Sequence, residues 1–463
     1  MKHINFSGLV CAVLLLSACS HLSAVDNTLR QPTLPDNWQQ QSPYLAVQDD
    51  WLSEFNQAGL SALVEKALNK NLTLKQLAYQ SQIEEQQVKL SGAYIWPSLD
   101  LSLSQGRGKS VEPTSYATTS SISLDLAYEI DIWGKLSDSQ RQANLSYLAQ
   151  KATFEQAKQQ IVADVIVAWF KHLSDKQLSA LYQARVRNSE QNLDIIEQGY
   201  QQGLNAALDV YLARNDLNSE RSRLSQQQAN ERDSNRALQR LVGEYPDAQL
   251  NIESDIPFIS ASLGKGIPSE LITRKPELVA SWYQLLAKDA ALAFAHKQRF
   301  PSLAIGASLS DGGETLSDVL SPASLAWSLI GRISAPLFQG GSLKANEKIA
   351  LLSLKQSEQA YLDALYSAFN SVESGINQEE SLLQQYQATL AARDNAVIAE
   401  QLSFEQYQSG LVSYTTVLDA QGRSYDAQSS LIDLKNQLIA NRVSLHIALG
   451  GNFSTTQLSK SEN

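Results

Sequence analysis

The segments YQQGLNAALDVYLA at residues 200–213 and YQSGLVSYTTVLDA at residues 407–420 are two versions of one pattern. Both begin with Tyr-x-x-Gly-Leu and continue with a valine and an alanine at the same spacing. Upstream, WPSL at residues 96–99 recurs as FPSL at residues 300–303, so equivalent positions lie 204 to 207 residues apart. An ordered series of matches at a near-constant offset predicts a duplicated architecture of two long units.

Long helices are predicted to lead into both copies of this pattern. Proline is absent from residues 135–245 and from residues 337–463, and both stretches carry apolar residues at helical spacing. We predict one helix over about 135–198 and its repeat mate over about 342–408. At about 1.5 Å per residue, each helix would be roughly 95 to 100 Å long, which is typical of coiled coils and spanning rods.

Each predicted long helix ends at the Tyr-x-x-Gly signal, because glycine can adopt the left-handed conformation that closes a helix. A second helix is predicted after each signal, over about 206–241 and about 413–449, and each stops at another glycine. Each repeat is therefore expected to contain a long antiparallel helical hairpin with its tip near Gly203 or Gly410.

Four segments between the predicted helices alternate with a period of two, which is typical of strands. Residues 122–132 alternate strictly, with Ile, Leu and Tyr at even positions and Ser, Asp, Ala and Glu at odd ones. Residues 99–104, 302–309 and 327–334 follow the same pattern. We predict two hairpins of strands of about ten residues, with connecting loops over about 105–119 and about 311–324.

A four-stranded sheet of this kind is either an ordinary sheet with one wet face or part of a membrane barrel. Strands of about ten residues favour the barrel. Four strands cannot close a barrel, for which about eight are the minimum. An open sheet edge cannot exist in lipid. If the strands span a membrane, several chains must therefore share one barrel.

The N-terminus has the pattern of a secretory signal, with a short basic start and an apolar run at residues 9–16. Leu-Ser-Ala-Cys follows and ends at Cys19. This tetrapeptide resembles a bacterial lipobox, which implies removal of residues 1–18 and lipid on Cys19. Ser20 follows the cysteine, and the absence of aspartate there favours the outer membrane. The alternative is an ordinary signal with an incidental cysteine.

The composition excludes several classes of function. The net charge of −11 argues against nucleic-acid binding, which requires a basic face. The five histidines have no metal-ligand spacing, and His172 and His446 are interpreted as ordinary surface or seam residues within helices. No nucleophile elbow and no distinguished carboxylate pair occurs. The sequence therefore predicts no enzyme activity, no cofactor and no metal site.

A strand hairpin and a long helical hairpin, repeated after a lipobox, resemble the TolC-like outer membrane efflux factors, in particular their OprM-like (NodT-type) lipoprotein branch. The resemblance covers essentially the whole chain after the signal. Four motifs carry it: Trp51 with Phe55, FPSL at 300–303, PLFQGG at 336–341, and VLDAQ at 417–421.

The resemblance implies a mainly α fold with a membrane β-barrel. Three chains would form a homotrimer with a 12-stranded β-barrel continuous with a 12-helix periplasmic α-barrel. The partners would be a periplasmic adaptor (membrane fusion) protein, an inner-membrane pump of the RND type, and outer membrane lipid. The chain would be a passive exit duct in the outer membrane of a Gram-negative bacterium, anchored at Cys19.

The resemblance also implies a gate at the periplasmic tip. Asp419 corresponds to an aspartate that rings the closed entrance, and Thr416 stands where a second acid is common, so the ring would be thinner. Asp209 corresponds to an aspartate that accepts a hydrogen bond from the tyrosine matched by Tyr407. A neighbouring family arginine is Val412 here. The alternatives are a solvated Asp419 and a pair that merely caps helix ends.

Acidic residues at odd positions of the strictly alternating strand would add charge to the interior of such a channel. They are predicted to face the lumen: Asp125, Glu129 and Asp131.

These expectations divide the chain into eight parts. They are a signal peptide (1–18), a lipidated segment with short helices (19–95), strand hairpin 1 (96–133), helical hairpin 1 (134–245), a linker with helices of repeat 2 (246–299), strand hairpin 2 (300–338), helical hairpin 2 (339–450) and a tail (451–463). Two other functions stay open. One is a lipid-anchored periplasmic coiled-coil scaffold, and the other is the exit duct of a type I protein secretion system.

Overall fold

The computed structural model describes residues 38, 51–55, 57, 59–111, 114–259, 263–264, 266, 268–320 and 325–453. The predicted signal peptide and Cys19 lie outside the described residues. Apart from residue 38, the described residues begin at the Trp51 motif and include both predicted helical hairpins.

The described elements fall into two series that follow the same order. The first series is α1 (Leu60–Lys70), α2 (Leu72–Ala93), β1 (Ser98–Val111), β2 (Thr114–Ile130), α3 (Lys135–Gln201) and α4 (Ala207–Leu241). The second series is α5 (Pro268–Arg274), α6 (Pro276–Lys297), β3 (Ser302–Gly313), β4 (Ala326–Ser334), α7 (Ser342–Gln408) and α8 (Tyr414–Ala448). Short 3-10 helices occur at Trp51–Phe55 and Asp318–Leu320.

The duplication seen in the sequence extends to the lengths of the helices. Helices α2 and α6 have 22 residues each, α3 and α7 have 67 each, and α4 and α8 have 35 each. The two long helices therefore reach about 100 Å at about 1.5 Å per residue. Among the described residues, no helix combines the length and the apolar character needed to cross a bilayer.

The turns at the hairpin tips form where the Tyr-x-x-Gly signal predicts them. Gly203 and Gly410 have φ angles of 78° and 71°, in the left-handed region that favours glycine. The N–H of Leu204 donates to the carbonyl of Gly199 at 2.8 Å, which satisfies one of the last free carbonyls of α3. Helix α3 continues to Gln201, three residues past its predicted end.

The four strands form one antiparallel sheet in the order β1-β2-β3-β4. Paired residues across the sheet form rows, and successive rows project to opposite faces. One row is apolar: Leu101, Leu124, Leu309 and Trp327. The next row is polar: Asp100, Asp125, Ser308 and Ser328. Leu101 and Trp327 are 70% and 79% exposed, so none of the described residues covers the apolar face.

The prediction of a loop over 105–119 is wrong. Strand β1 runs to Val111 and β2 starts at Thr114, so the two strands continue as a ribbon past the end of β3, where Gly313 pairs with Ser120. Alternation of apolar and polar residues identifies a strand only where one face of the strand is apolar. This ribbon lacks an apolar face, although the pairing between its two strands continues. The second predicted loop, 311–324, is also too long, because β3 extends to Gly313.

The 3-10 helix at Trp51–Phe55 is wedged into the largest apolar core. Trp51 and Phe55 are fully buried in a cluster built from α1, α3, the end of α4 and α8. The indole of Trp51 stacks on the imidazole of His446 at 5.2 Å, and Phe55 packs against Phe170 at 5.8 Å. The Trp51 motif therefore has a packing role, which fixes the N-terminal segment to both helical hairpins.

A buried ionic network accompanies this core. Arg442 donates to Glu54 Oε1 at 2.7 Å and also hydrogen-bonds Glu379, while His446 Nε2 lies 2.7 Å from Glu54 Oε2. The side chains of Arg442 and His446 are almost fully buried. Burial alone would raise the pKa of Glu54, but the hydrogen bonds and charges of His446 and Arg442 lower it below its ordinary value. The network ties the 3-10 helix to α7 and α8.

Replacing Glu54 by glutamine should destabilise the folded chain most near neutral pH. Since the folded-state pKa of Glu54 is depressed below 4.5, its contribution is complete above that pH and is lost as the pH falls through the folded-state pKa. We expect E54Q to lower the free energy of unfolding by about 1–3 kcal/mol at pH 7, and the difference from wild type to shrink below about pH 4. Thermal unfolding in detergent at a series of pH values measures it.

The matched control for E54Q is E85Q, because Glu85 pairs with Lys89 on an exposed helix surface at 3.2 Å. Exposed pairs of this kind contribute about 0–1 kcal/mol. An equal loss in both variants, or a loss in E54Q that does not depend on pH, would contradict the assignment.

Candidate functional site at the hairpin tips

The two helical hairpins lie side by side, and their tips share a small apolar cluster. Its buried members come from α3, α4 and α8: Ile196, Val210, Ala213, Tyr414 and Val417. Val210 and Val417 are the two valines that match in the repeated pattern. The repeat therefore preserves these valines where the tips of the hairpins touch.

One polar contact joins the two tips beside this cluster. The hydroxyl of Tyr407, on α7, donates to Asp209 Oδ2, on α4, at 3.0 Å. The ring of Tyr407 also packs on Tyr414 at 5.3 Å between centroids. Asp209 lies in the first turn of α4, where the positive end of the helix dipole stabilises a carboxylate. The two residues that the sequence pairs are thus in direct contact.

The hydroxyl of Tyr407 is a dependable donor. Burial of the ring, together with the hydrogen bond and the charge of Asp209, raises the pKa of Tyr407 well above its ordinary value of 10.0. Tyr407 therefore keeps its proton at physiological pH. The strength of the contact depends on Asp209 remaining an anionic acceptor.

The equivalent contact is missing in the other half of the repeat. Tyr200 and Thr416 occupy the positions that correspond to Tyr407 and Asp209. Tyr200 is half exposed, and its hydroxyl has no side-chain partner within the described part of the chain. Thr416 is exposed and lies near the hydroxyl of Ser413 at 3.3 Å. The tie between the hairpins is therefore present at only one of the two pseudo-equivalent positions.

Asp419 lies on the exposed surface of α8. Its carboxylate is 67% exposed and accepts from Arg423 Nε at 3.1 Å, one helical turn further on. Sequence analysis did not single out Arg423, although the i, i+4 spacing of opposite charges is a signal for such a pair. Any negative ring formed by Asp419 would therefore be accompanied by a positive ring one turn away.

The predicted lumen-facing acids differ in their surroundings. Asp125, in the polar row of the sheet, accepts from Ser123 Oγ at 2.6 Å. Glu129 is paired with Lys135 Nζ at 2.5 Å. Their orientation toward a lumen stays a prediction. Within the described residues, no group of three or more His, Cys, Asp or Glu side chains is arranged to hold a metal ion.

Asp131 lies where β2 gives way to α3. Its carboxylate accepts from the backbone N–H groups of Leu136 and Ser137 at 3.0 and 2.8 Å, and from the hydroxyl of Ser137. These are donors that the first turn of a helix leaves free. Asp131 therefore caps the start of α3, a role that the sequence analysis did not assign to it.

A buried arginine joins the hairpins further from the tips. The guanidinium of Arg185, on α3, lies between the rings of Tyr182 and Tyr425 at 4.4 and 4.5 Å. It also donates to the backbone carbonyl of Tyr425 and to the hydroxyl of Ser429, both on α8. Arg185 lies 18 residues before Gly203, which is about 27 Å along the helix. The sequence signal that could have identified this site is an arginine at a position whose helical spacing places it on the buried stripe of α3.

The fold is that of outer membrane channels. The Campylobacter jejuni CmeC outer membrane channel has the same fold, with a TM-score of 0.84 and 20% identity over 92% of this chain and 93% of that one. The model of the "Outer membrane efflux protein" family matches residues 63–244 and 267–451, once in each repeat. The chain therefore belongs to the outer membrane efflux protein family.

Two curated relatives illustrate the range of this family. One is the probable outer membrane lipoprotein SilC of Salmonella typhimurium, 28% identical over 87% of this chain and 88% of its own. The other is the solvent efflux pump outer membrane protein SrpC of Pseudomonas putida, 27% identical over 87% of each chain. The TolC-like efflux channel resemblance of the sequence is confirmed.

Removing the hydrogen bond between Tyr407 and Asp209 should open the channel. Since a hydrogen bond to a charged group contributes roughly 1.5–3 kcal/mol, we expect Y407F and D209A to shift the closed–open equilibrium toward the open state by about tenfold or more. Single-channel recording in a planar bilayer measures the shift. The matched control is Y200F, which removes the equivalent but unpaired hydroxyl. Unchanged currents in Y407F, or equal effects of Y407F and Y200F, would contradict the role of this contact.

Proposed function

We propose that this chain is one subunit of a homotrimeric exit duct in the outer membrane of a Gram-negative bacterium. The duct receives small molecules from a periplasmic adaptor and an inner-membrane pump of the RND type. The observation that carries the proposal is that the sheet of a single chain is incomplete. Among the described residues it has two unpaired edges and an uncovered apolar face, and it continues directly into two helical hairpins of about 100 Å.

The open edges of the sheet support three copies. Strands β1 and β4 each pair on one side only, so half of their backbone donors and acceptors point away from the sheet. In lipid those groups must find partners, and another copy of the chain provides them. Four strands fall short of the minimum for a barrel, whereas three copies give twelve. The exposed Leu101 and Trp327 suit a lipid-facing band and argue against a scaffold with soluble sheets.

The helices support the same assembly. Helix α7 exposes a series of large apolar side chains along its length: Ile349, Leu352, Ile398 and Leu402. Such side chains are expected to be covered by a neighbouring helix. Since α3 and α7 have equal lengths, and so do α4 and α8, three copies can form a twelve-helix tube with all tips at one level. The predicted lipid on Cys19 would add an anchor.

In this assembly the tips form the gate. The contact between Tyr407 and Asp209 holds the second hairpin against the first and keeps the entrance narrow. Asp419 and Arg423 border the entrance as rings of opposite sign. SrpC is named for solvents, and another curated relative, the cation efflux system protein CusC of Escherichia coli, is named for cations. This range of cargo supports a passive duct for which the pump selects the cargo. Asp125 and Glu129 line the interior of the β-barrel at the other end of the duct.

Disulfide trapping should detect pairing between β4 of one copy and β1 of the next. Ser328→Cys on β4 is combined with one cysteine on the polar face of β1, at Asp100, Ser102, Ser104, Gly106 or Gly108. Within one chain β1 and β4 are three strands, about 14 Å, apart, so they cannot form a disulfide internally. We expect covalent trimers for at least one pair on denaturing gels under oxidising conditions.

The control for trapping is Ser123→Cys combined with Ser328→Cys, because β2 is already paired on both sides. It should yield monomers. Monomers across the whole series, from protein recovered in the outer membrane fraction, would contradict the shared barrel.

The charges at the entrance should control ion selectivity in opposite directions. We expect D419N to reduce the preference for cations and R423Q to increase it, each by about twofold, since rings of charged side chains set the selectivity of a narrow pore. Reversal potentials in a salt gradient measure both. R393Q, which removes an arginine that pairs with Asp394 away from the tip, serves as the control. If R393Q changes the ion selectivity as much as R423Q does, the placement of Asp419 and Arg423 at the entrance is contradicted.

A further inference from the structure

The distal part of the β1–β2 hairpin carries a compact basic patch on one side. The guanidinium of Arg107 lies 5.3 Å from the centre of the Tyr116 ring, and Lys109 Nζ lies 5.7 Å from it. All three side chains are exposed. Lys109 and Tyr116 are directly paired across the two strands. Both cations therefore lie within cation–π distance of the same tyrosine ring.

The patch lies on the same face of the sheet as the apolar row. Along β1, Arg107 and Lys109 follow Leu99, Leu101 and Leu103 at intervals of two residues, and residues at this spacing share a face. The contacts with Tyr116 agree, because Tyr116 shares its face with the apolar even positions of β2. In the proposed barrel, the patch therefore projects outward, toward lipid, and not into the lumen.

Within the described residues, the cations of the patch have no acidic partner. Among the described residues of the ribbon beyond Leu103, Arg107 and Lys109 are the only charged side chains, and neither takes part in an ion pair. The sequence adds Glu112 between the two strands, outside the described residues. A local concentration of positive charge on a chain with a net charge of −11 attracts anionic ligands.

The height of the patch matches the head-group layer of a membrane. The helices start at the opposite end of the sheet, so the ribbon lies on the outer side if the helices are periplasmic. Arg107 is four residues beyond Leu103, which is about 14 Å along the strand and about 10 Å in height for a strand tilted by about 40°. Long basic side chains reach back toward such a layer while their stems follow the apolar surface.

We propose that Arg107 and Lys109, supported by Tyr116, bind the phosphate groups of lipid A in the outer leaflet. The inference rests on the proposed function, since it needs the chain to lie in the outer membrane with its ribbon outside. An exposed guanidinium and an ammonium 5–6 Å from a shared aromatic ring provide two cations for one bis-phosphorylated glycolipid. Each trimer would carry three such sites around its rim.

The test uses full-length trimers extracted from outer membranes. Wild type, R107Q/K109Q and the control K344Q/K348Q are incubated with bis-phosphorylated lipid A or with its dephosphorylated form, and bound lipid is counted by native mass spectrometry. The control removes two exposed lysines at the start of α7, on the periplasmic side. We expect the apparent affinity of R107Q/K109Q for bis-phosphorylated lipid A to fall about thirtyfold, and that of the control to stay at the wild-type value.

The outcomes separate the lipid site from the channel itself. R107Q/K109Q should keep its trimeric mass and its single-channel conductance, because neither residue lies in the gate. Equal retention of lipid A by R107Q/K109Q and wild type would overturn the site. The site would also be overturned if wild type bound the dephosphorylated form as tightly as bis-phosphorylated lipid A, because binding would then depend on the acyl chains and not on the phosphates. Wild-type protein that is neither trimeric nor found in the outer membrane would overturn the proposed function together with the site.

Discussion

The backbone groups along the outer edges of β1 and β4 have no partners among the described residues, and the proposed assembly follows from that need. An edge that carries an apolar face is stable neither in water nor in lipid. Pairing with further copies of the same chain satisfies both edges, because β1 and β4 run in opposite directions, like every other adjacent pair in the sheet. A ring of copies then requires helices that end at one level. The equal lengths of α3 and α7, and of α4 and α8, meet that requirement.

The two halves of the chain agree in backbone and differ in side chains. Tyr407 and Asp209 correspond to Tyr200 and Thr416, and the buried Arg185 corresponds to Ala392. The pseudo-symmetry therefore constrains lengths and turns, whereas these two ties between the hairpins have no counterpart at the pseudo-equivalent positions of the described residues. In a ring of such chains, the seam within a chain and the seam between chains would differ, although both are made from the same kind of hairpin. Unequal seams would give the proposed ring defined places at which it can open.

Much of the fold could be predicted from the sequence, because its periodicities are strong and long. Helices α3 and α7 lack proline over their whole length, and the central part of β2 alternates strictly. The ribbon beyond Leu103 could not be predicted, because a strand solvated on both faces has no hydrophobic period. The pairing of Arg442 with Glu54 joins residues 388 positions apart, and no local pattern encodes it. At the tip, a family resemblance supplied the pair of Tyr407 and Asp209, whereas Arg423 was missed.

The ties between the hairpins differ in strength, and this difference defines what can move. The contact between Tyr407 and Asp209 is a single hydrogen bond that contributes roughly 1.5–3 kcal/mol, so it can break while both helices remain folded. Removing the buried Arg185 from its two rings and from the carbonyl of Tyr425 would leave polar groups unpaired and would cost more. In the proposed tube, opening would therefore be confined to the helix ends between Arg185 and the tip, about 27 Å of each hairpin. Above that level the proposed tube would keep its diameter, and a local change at the entrance would be sufficient to gate it.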